Sequence, residues 1–231
     1  MNVAQKLAIR EENELEGMMK ALNRVQAIIE FDLGGRILNA NENFLQTLGY
    51  DLEEIKGKHH RIFCDERYGE SIEYKKFWDE LAQGKFNSGE FKRIDRNGNE
   101  IWINASYNPI FDNQGKPYKV IKFATDITET KRRNTDFEGK IAAINRSQAV
   151  IEFNTDGTIL NANENFLVTL AYSLEEIEGK HHRMFCDTAL TSTVEYENFW
   201  RDLARGEFKS GEFRRKNKFG EDIWIRATYN P

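Results

Sequence analysis

Residues Ile55–Asp65 read IKGKHHRIFCD, and Ile177–Asp187 read IEGKHHRMFCD. The offset is 122, and it holds well beyond this stretch. Asn39–Phe44 returns at Asn161–Phe166, Phe77-Trp78 at Phe199-Trp200, and Ile101-Trp102-Ile103 at Ile223-Trp224-Ile225. Tyr107-Asn108-Pro109 returns at Tyr229-Asn230-Pro231. No gap is needed from Ala21/Ala143 onward, and all four His, both Cys and all four Trp occupy matched positions. One domain is written twice, so its task is expected in both copies.

The 231 residues and the repeat together give two small domains, each long enough for one modest core. The net charge is −5 and no Lys/Arg stripe follows one face, which argues against a nucleic-acid partner. No apolar run approaches the roughly 20 residues of a membrane span. The first residues lack the apolar centre of a signal peptide, so a cytoplasmic location is expected. Cys64 and Cys186 are one position twice, a small buried thiol in each domain rather than a disulfide pair.

Residues 4–25 are polar and free of proline, with Leu15, Met19 and Leu22 at helical spacing. Phe137, Ile141 and Ile144 repeat that stripe before the second copy. Such a helix either pairs with a partner helix or packs on its own domain. Ala27–Phe31 and Arg36–Asn39 flank a tight turn, a hairpin. Asn39 or Asn41 can cap a short helix carrying Phe44, Leu45 and Leu48. Asp51-Leu-Glu-Glu54 and Ser173-Leu-Glu-Glu176 are capping boxes. Glu73–Ala82 is an amphipathic helix stopped by Gly84. Phe86–Ile94, Glu100–Pro109 and Tyr118–Ala124 are three strands separated by turns. The order predicts an α+β domain: a five-stranded antiparallel sheet with short helices on one face.

These residues resemble the PAS family. GKHHR[IM]FCD, FW..LA.G.F.SGEF.R, IW[IV].A[ST]YNP[IV]F and the closing Phe123-Ala-Thr-Asp-Ile-Thr128 are similar to the tandem PAS domains of bacterial chemoreceptors of the aerotaxis and biofilm-dispersion type. The resemblance implies two tandem PAS domains, at 21–128 and 143–231. An amphipathic helix (1–20) precedes them and a helical linker (129–142) joins them. It also implies a downstream methyl-accepting domain that engages the chemotaxis kinase complex. Copy two ends at Pro231, the match of Pro109, so the counterpart of Tyr118–Thr128 is not in it. In a PAS-like sheet that strand is central, and two rows of ladder groups would lack partners. The expectation is that copy two is partly disordered or is completed by another chain.

The resemblance also implies candidate ligand residues. In flavin-binding aerotaxis PAS domains a Trp of the late helix lies against the isoalloxazine ring, the place of Trp78 and Trp200; core packing beside Phe77 and Leu81 is the alternative. His59-His60 and His181-His182 have no zinc spacing. One of each pair could serve as a haem axial ligand, hydrogen-bond a cofactor, or cap the following turn. Arg93 and Arg215 stand where the aerotaxis flavin domain carries Asn. Asn104, Ser106 and Asn108 share one strand face; if inward, it would hold the polar edge of a ring, and otherwise it is an outward polar face. No nucleophile–base or paired-carboxylate set suggests an enzyme. Three readings remain: a redox or oxygen sensor holding flavin (FAD), a ligand-free module that forms a homodimer through helices 4–25 and 129–146, or a haem gas sensor.

Overall fold

The computed structural model describes residues 3–231; Met1 and Asn2, the start of the predicted first helix, lie outside the described residues. Helix α1 (Val3–Val25) precedes a first domain of strands β1 (Ala27–Phe31) and β2 (Ile37–Ala40), short helices α2 (Glu42–Leu48), α3 (Leu52–Ile55) and α4 (Glu66–Gly69), and helix α5 (Ile72–Ala82). Strands β3 (Asn87–Ile94), β4 (Glu100–Phe111) and β5 (Pro117–Asp126) complete it. Helix α6 (Thr128–Ser147) leads out. The chain divides into two compact units between Asn134 and Thr135, inside α6.

The sheet order is β2-β1-β5-β4-β3, with every neighbouring pair antiparallel. The last strand is central, hydrogen-bonded to β1 on one side and β4 on the other. The helical layer is fixed by local chemistry. Of the two candidate caps, Asn41 is the one used: its side-chain oxygen accepts from Phe44 N and from Ile28 N. The capping box at Asp51 is closed by Glu54, whose carboxylate accepts from Asp51 N at 2.9 Å. Ser71 starts α5, which buries Tyr74, Phe77, Trp78 and Leu81 against the sheet at helical spacing.

The second unit repeats this plan: β6 (Ile151–Phe153), β7 (Ile159–Ala162), α7 (Glu164–Leu170), α8 (Leu174–Ile177), α9 (Thr188–Thr191), α10 (Val194–Ala204), β8 (Lys209–Lys216) and β9 (Asp222–Tyr229). Its registers repeat too: Ile151↔Ala162 answers Ile29↔Ala40, and Lys209↔Tyr229 answers Asn87↔Tyr107. Copy two, which has no counterpart of Tyr118–Thr128 in this sequence, does not form the five-stranded sheet of the first domain. The unit holds two separate two-stranded ladders, β6–β7 and β8–β9. The residues that would bond both β6 and β9 are the counterpart of β5.

Gly35 ties the hairpin to the core. Its φ is +82°, and a Cβ there would lie 2.7 Å from the indole of Trp78. Gly57 has a similar φ, +78°, but open space around it. Gly57→Ala is therefore expected to cost about 1 kcal/mol, the left-handed penalty alone. Gly35→Ala should cost about 2–4 kcal/mol, because overpacking of the Trp is added. Urea unfolding followed by Trp78 fluorescence separates the two; equal losses would mean that the indole does not rest on the hairpin.

Candidate functional site

The duplicated HHR stretch forms a 3-10 turn whose first residue, His59, caps it by accepting from Arg61 N. That turn drives His60 into the core, where it is fully buried. Its Nδ1 lies 2.9 Å from the Tyr74 hydroxyl of α5, and its Nε2 lies 2.9 Å from the Tyr107 hydroxyl of β4. Arg93 of β3, also buried, donates from Nη2 to the same Tyr107 hydroxyl at 2.9 Å. Tyr74 Oη in turn lies 3.3 Å from His59 Nδ1.

One proton arrangement of this chain starts from Arg93. Arg93 can only donate, so Tyr107 Oη accepts from it and gives its own proton to His60 Nε2. His60 is then protonated on Nδ1 and donates to Tyr74, which donates to His59 Nδ1. The chain runs in one direction, from a buried guanidinium to a half-buried imidazole beside the β1–β2 hairpin. Burial, with the charges of Arg93 and Lys122 behind it, holds His60 neutral well below the ordinary histidine range. Burial also pushes Tyr107 up to about 12.

Around this chain the core is closed by rings. Phe31, Phe63, Tyr74, Trp78 and Tyr107 each lie within ring-contact distance of His60. Trp78 lies between Gly35, Phe31, Phe77 and the two histidines. Its Nε1 is buried without a hydrogen-bond partner, near the Tyr74 hydroxyl, which burial pushes well above the ordinary tyrosine range. Arg93 Nε is likewise buried and unpartnered. Lys122 of β5 is 1% exposed, its ammonium 4.9 Å from the Tyr107 ring centre and 5.5 Å from that of Phe44.

The second unit repeats the arrangement. His182 Nδ1 lies 2.9 Å from the Tyr196 hydroxyl and Nε2 lies 3.2 Å from that of Tyr229, to which Arg215 donates at 3.0 Å. Trp200 Nε1 and Arg215 Nε are the matching unpartnered atoms. His181 caps its turn as His59 does. A cavity of about 660 Å³ opens between β6 and β9, lined among others by Phe153, His182, Trp200, Arg215 and Tyr229. In the first domain the corresponding space is held by Val120, Lys122 and Ala124 of β5.

The structure thus brings His59, His60, Trp78 and Arg93 together, and His181, His182, Trp200 and Arg215 likewise. Asn104 is not among them. On β4 the inward residues are Ile103, Ala105 and Tyr107, so Asn104 faces away from the core, in a shallow outer depression with Ser88, Ser106 and Thr125. The haem role for His60 or His182 meets a geometric obstacle, because both ring nitrogens are already engaged by tyrosines. Among the described residues no group of three or more His, Cys, Asp or Glu is placed to hold a metal ion. The sequence reading missed Tyr74, Tyr107 and Lys122. The tyrosines had a signal, since both recur at the 122 offset as Tyr196 and Tyr229. Lys122 had none.

The first domain is thus a five-stranded antiparallel sheet with helices on one face, folded around a buried polar chain. Residues 37–124 match the PAS fold family and residues 147–231 the PAS domain family. The chain belongs to the PAS family and carries two tandem PAS domains. It is 45% identical over 213 residues to the biofilm dispersion protein BdlA of Pseudomonas aeruginosa, covering 92% of this chain and 51% of that protein. This chain therefore spans about half the length of that relative. It is 30% identical over 73 residues to the aerotaxis receptor of Escherichia coli, covering 32% of this chain and 14% of the receptor. Among solved structures, the PAS domain of a Colwellia psychrerythraea protein aligns with a TM-score of 0.44 at 25% identity, over 50% of this chain and 98% of that one.

The neutral buried histidines make stability depend on pH in a defined sense. Burial lowers His182 to about 3, whereas the unfolded chain titrates near 6.5. The unfolded state binds the extra proton, so stability is full above about pH 7.5 and falls as pH drops through 6.5 toward the folded value. Each histidine should withdraw about 2 kcal/mol from its own domain between pH 6.5 and 5. Urea midpoints of the wild type and of His60→Gln and His182→Gln across that range check this. Slopes unchanged in both variants would show that the histidines do not carry it.

Proposed function

We propose that the two PAS domains are the sensory input of a chemosensory signal transducer, the first domain passing its state on through helix α6. The observation that carries this reading is the joint at the end of β5. Ile127 N donates to Trp102 O at 2.8 Å, Trp102 N donates to Thr128 Oγ1 at 2.9 Å, and Asp126 Oδ1 accepts from Thr128 N at 2.8 Å. The first turn of α6 is thereby tied to β4 and β5, the two strands that supply Tyr107 and Lys122 to the core. A change at Tyr107 or Lys122 reaches α6 through two strands and three hydrogen bonds. The likeness to BdlA over 92% of the chain supports a chemosensory setting, with a methyl-accepting domain and a chemotaxis kinase complex downstream. No helix among the described residues is long and apolar enough to cross a membrane, which agrees with a cytoplasmic input. The role is recognition and relay rather than catalysis.

The α1 stripe of Leu15, Met19 and Leu22 is exposed, and so is the α6 stripe of Phe137, Ile141 and Ile144. We read both as seams for a second copy, giving a homodimer that transmits along paired helices.

For the input itself we retain flavin, as FAD, read as a redox or oxygen signal. Two buried donors without partners, Trp78 Nε1 and Arg93 Nε, fit the polar edge of such a ring, and the same pair recurs as Trp200 and Arg215. A bound flavin would supply two-electron redox chemistry linked to proton uptake. Trp78 is enclosed by Gly35, Phe31 and Phe77, so seating a ring beside it requires α5 to move from the hairpin. The Arg93–Tyr107–His60–Tyr74–His59 chain orients protons at that site and leads toward the surface.

Two measurements test this. Asp126→Ala is expected to loosen the start of α6 by about 1 kcal/mol, seen as faster amide exchange in its first turn. Cells carrying it in the parent gene should lose oxygen-gradient or biofilm-detachment responses at unchanged protein level. A normal response despite the faster exchange would remove the joint from the signalling path. Separately, an absorption spectrum of freshly purified protein should show two flavin bands that Trp78→Phe or Trp200→Phe diminishes. A colourless protein that never loads flavin would leave the sensory reading with another ligand.

A further inference from the structure

The first domain buries two cations in one core. Arg93 is 2% exposed and Lys122 is 1% exposed. They meet at a single side chain: Arg93 Nη2 bonds the Tyr107 hydroxyl, while the Lys122 ammonium lies over the Tyr107 ring. A buried cation is ordinarily matched by a buried carboxylate, because an unmatched charge in a dry interior is strongly unfavourable. Here the match is missing. Among the described residues neither Arg93 nor Lys122 forms an ion pair with Asp or Glu. The partners of Arg93 are neutral, the Lys92 carbonyl and the Tyr107 hydroxyl, with the Phe91 ring packed on its face. Those of Lys122 are the Phe44 and Tyr107 rings. One guanidinium donor, Nε, is left with no acceptor. An unsatisfied buried donor beside a second unpaired cation is the arrangement expected of a site for an anion.

We propose that the core of the first PAS domain binds a compact monovalent anion, inorganic or a one-carbon carboxylate, between Arg93 and Lys122 beside Tyr107. Both cations are almost fully buried, so the ion proposed is one of only a few atoms. The titratable groups acting on this pair are Cys64 and His60 on the helical side and Tyr68, Tyr74 and Tyr107 around the ring cluster. None of them is a carboxylate. Burial and the charge of Arg93 hold Lys122 well below the ordinary lysine range, so without an anion it sheds its proton more readily. An anion beside it favours the ammonium, so binding takes up a proton. The second unit offers an internal comparison. Arg215 repeats the unpartnered Nε, but no second buried Lys or Arg accompanies it among the described residues. The inference rests on the sensory reading only in making this core an input, and it does not require a flavin.

The test is calorimetric titration of the intact chain with sodium nitrate and, separately, sodium formate. Ionic strength is held with gluconate, which is too large for the core, and buffers of different ionisation heat are compared. Saturable binding at one site per chain is expected, with up to one proton taken up at pH 8 and fewer at pH 6. Preference for nitrate or formate decides between an inorganic ion and a one-carbon acid. Lys122→Met should abolish the proton uptake and weaken binding at least tenfold, while the surface variant Lys140→Met leaves both unchanged. Absence of saturable binding by either ion overturns the proposal. So does a Lys122→Met protein, shown folded by its amide spectrum, that binds with the same affinity and proton count. The cellular role of the Asp126 joint is measured separately, so failure of binding and failure of the sensory reading are distinguishable.

Discussion

Tyr107 is the side chain on which the interior of the first domain depends. It accepts from Arg93, donates to His60 and offers its ring face to Lys122, all with its own exposure at zero. Three otherwise expensive burials, two cations and an imidazole, are made tolerable by one phenol that is both donor and acceptor. Phenylalanine would keep the packing but leave Arg93 Nη2 and His60 Nε2 each lacking a partner. The polar chain is directional because its first member can only donate. That sets Tyr107 Oη as the acceptor at the β3 end of the chain.

The second unit isolates what β5 contributes. Without that strand, the Arg215–Tyr229–His182–Tyr196 chain still forms, with the longest of its three links 3.2 Å. The polar chain is thus held by β8, β9, α10 and the 3-10 turn alone. Covering the chain is another matter. Ile151 and Phe153 are half-buried where Ile29 and Phe31 are fully buried, because in the first domain β5 bonds β1 and closes the layer. In the first domain β5 closes the layer beside β1 and supplies the second buried cation, Lys122.

Much of this was legible in the sequence, for reasons that can be located. Turns, caps and helix stops depend on a few neighbouring atoms, so the capping boxes at Asp51 and Ser173 and the Asn41 cap could be read directly. The histidines were visible as a repeated pair, and the turn that separates their directions explains why one caps and the other is buried. What failed was the parity of strands carrying apolar residues on both faces. In β4, Ile103 and Tyr107 point inward while Trp102 and Asn104 point outward, so Asn104 could not be placed by pattern alone. In β5, Lys122 is inward and Phe123 is the less buried, the reverse of what hydropathy predicts. A one-residue change of parity exchanges the faces of a whole strand. Only the pairing of β5 with β1 and β4 sets it.

That same parity connects the core to the exit helix. Tyr107 and Trp102 lie on one strand but on opposite faces, and Lys122 and Asp126 share one face of the next. In the proposed relay a shift at Tyr107 is carried along β4 to Trp102. Trp102 holds α6 by both its N–H and its carbonyl, and its ring carries the Lys131 ammonium at 5.3 Å. The helix is thus attached to the outer face at the strand that the buried chain grips from the inner face. In the proposed relay a change in the charge balance around Tyr107 acts on α6 through the sheet, with no ligand contact to the helix required.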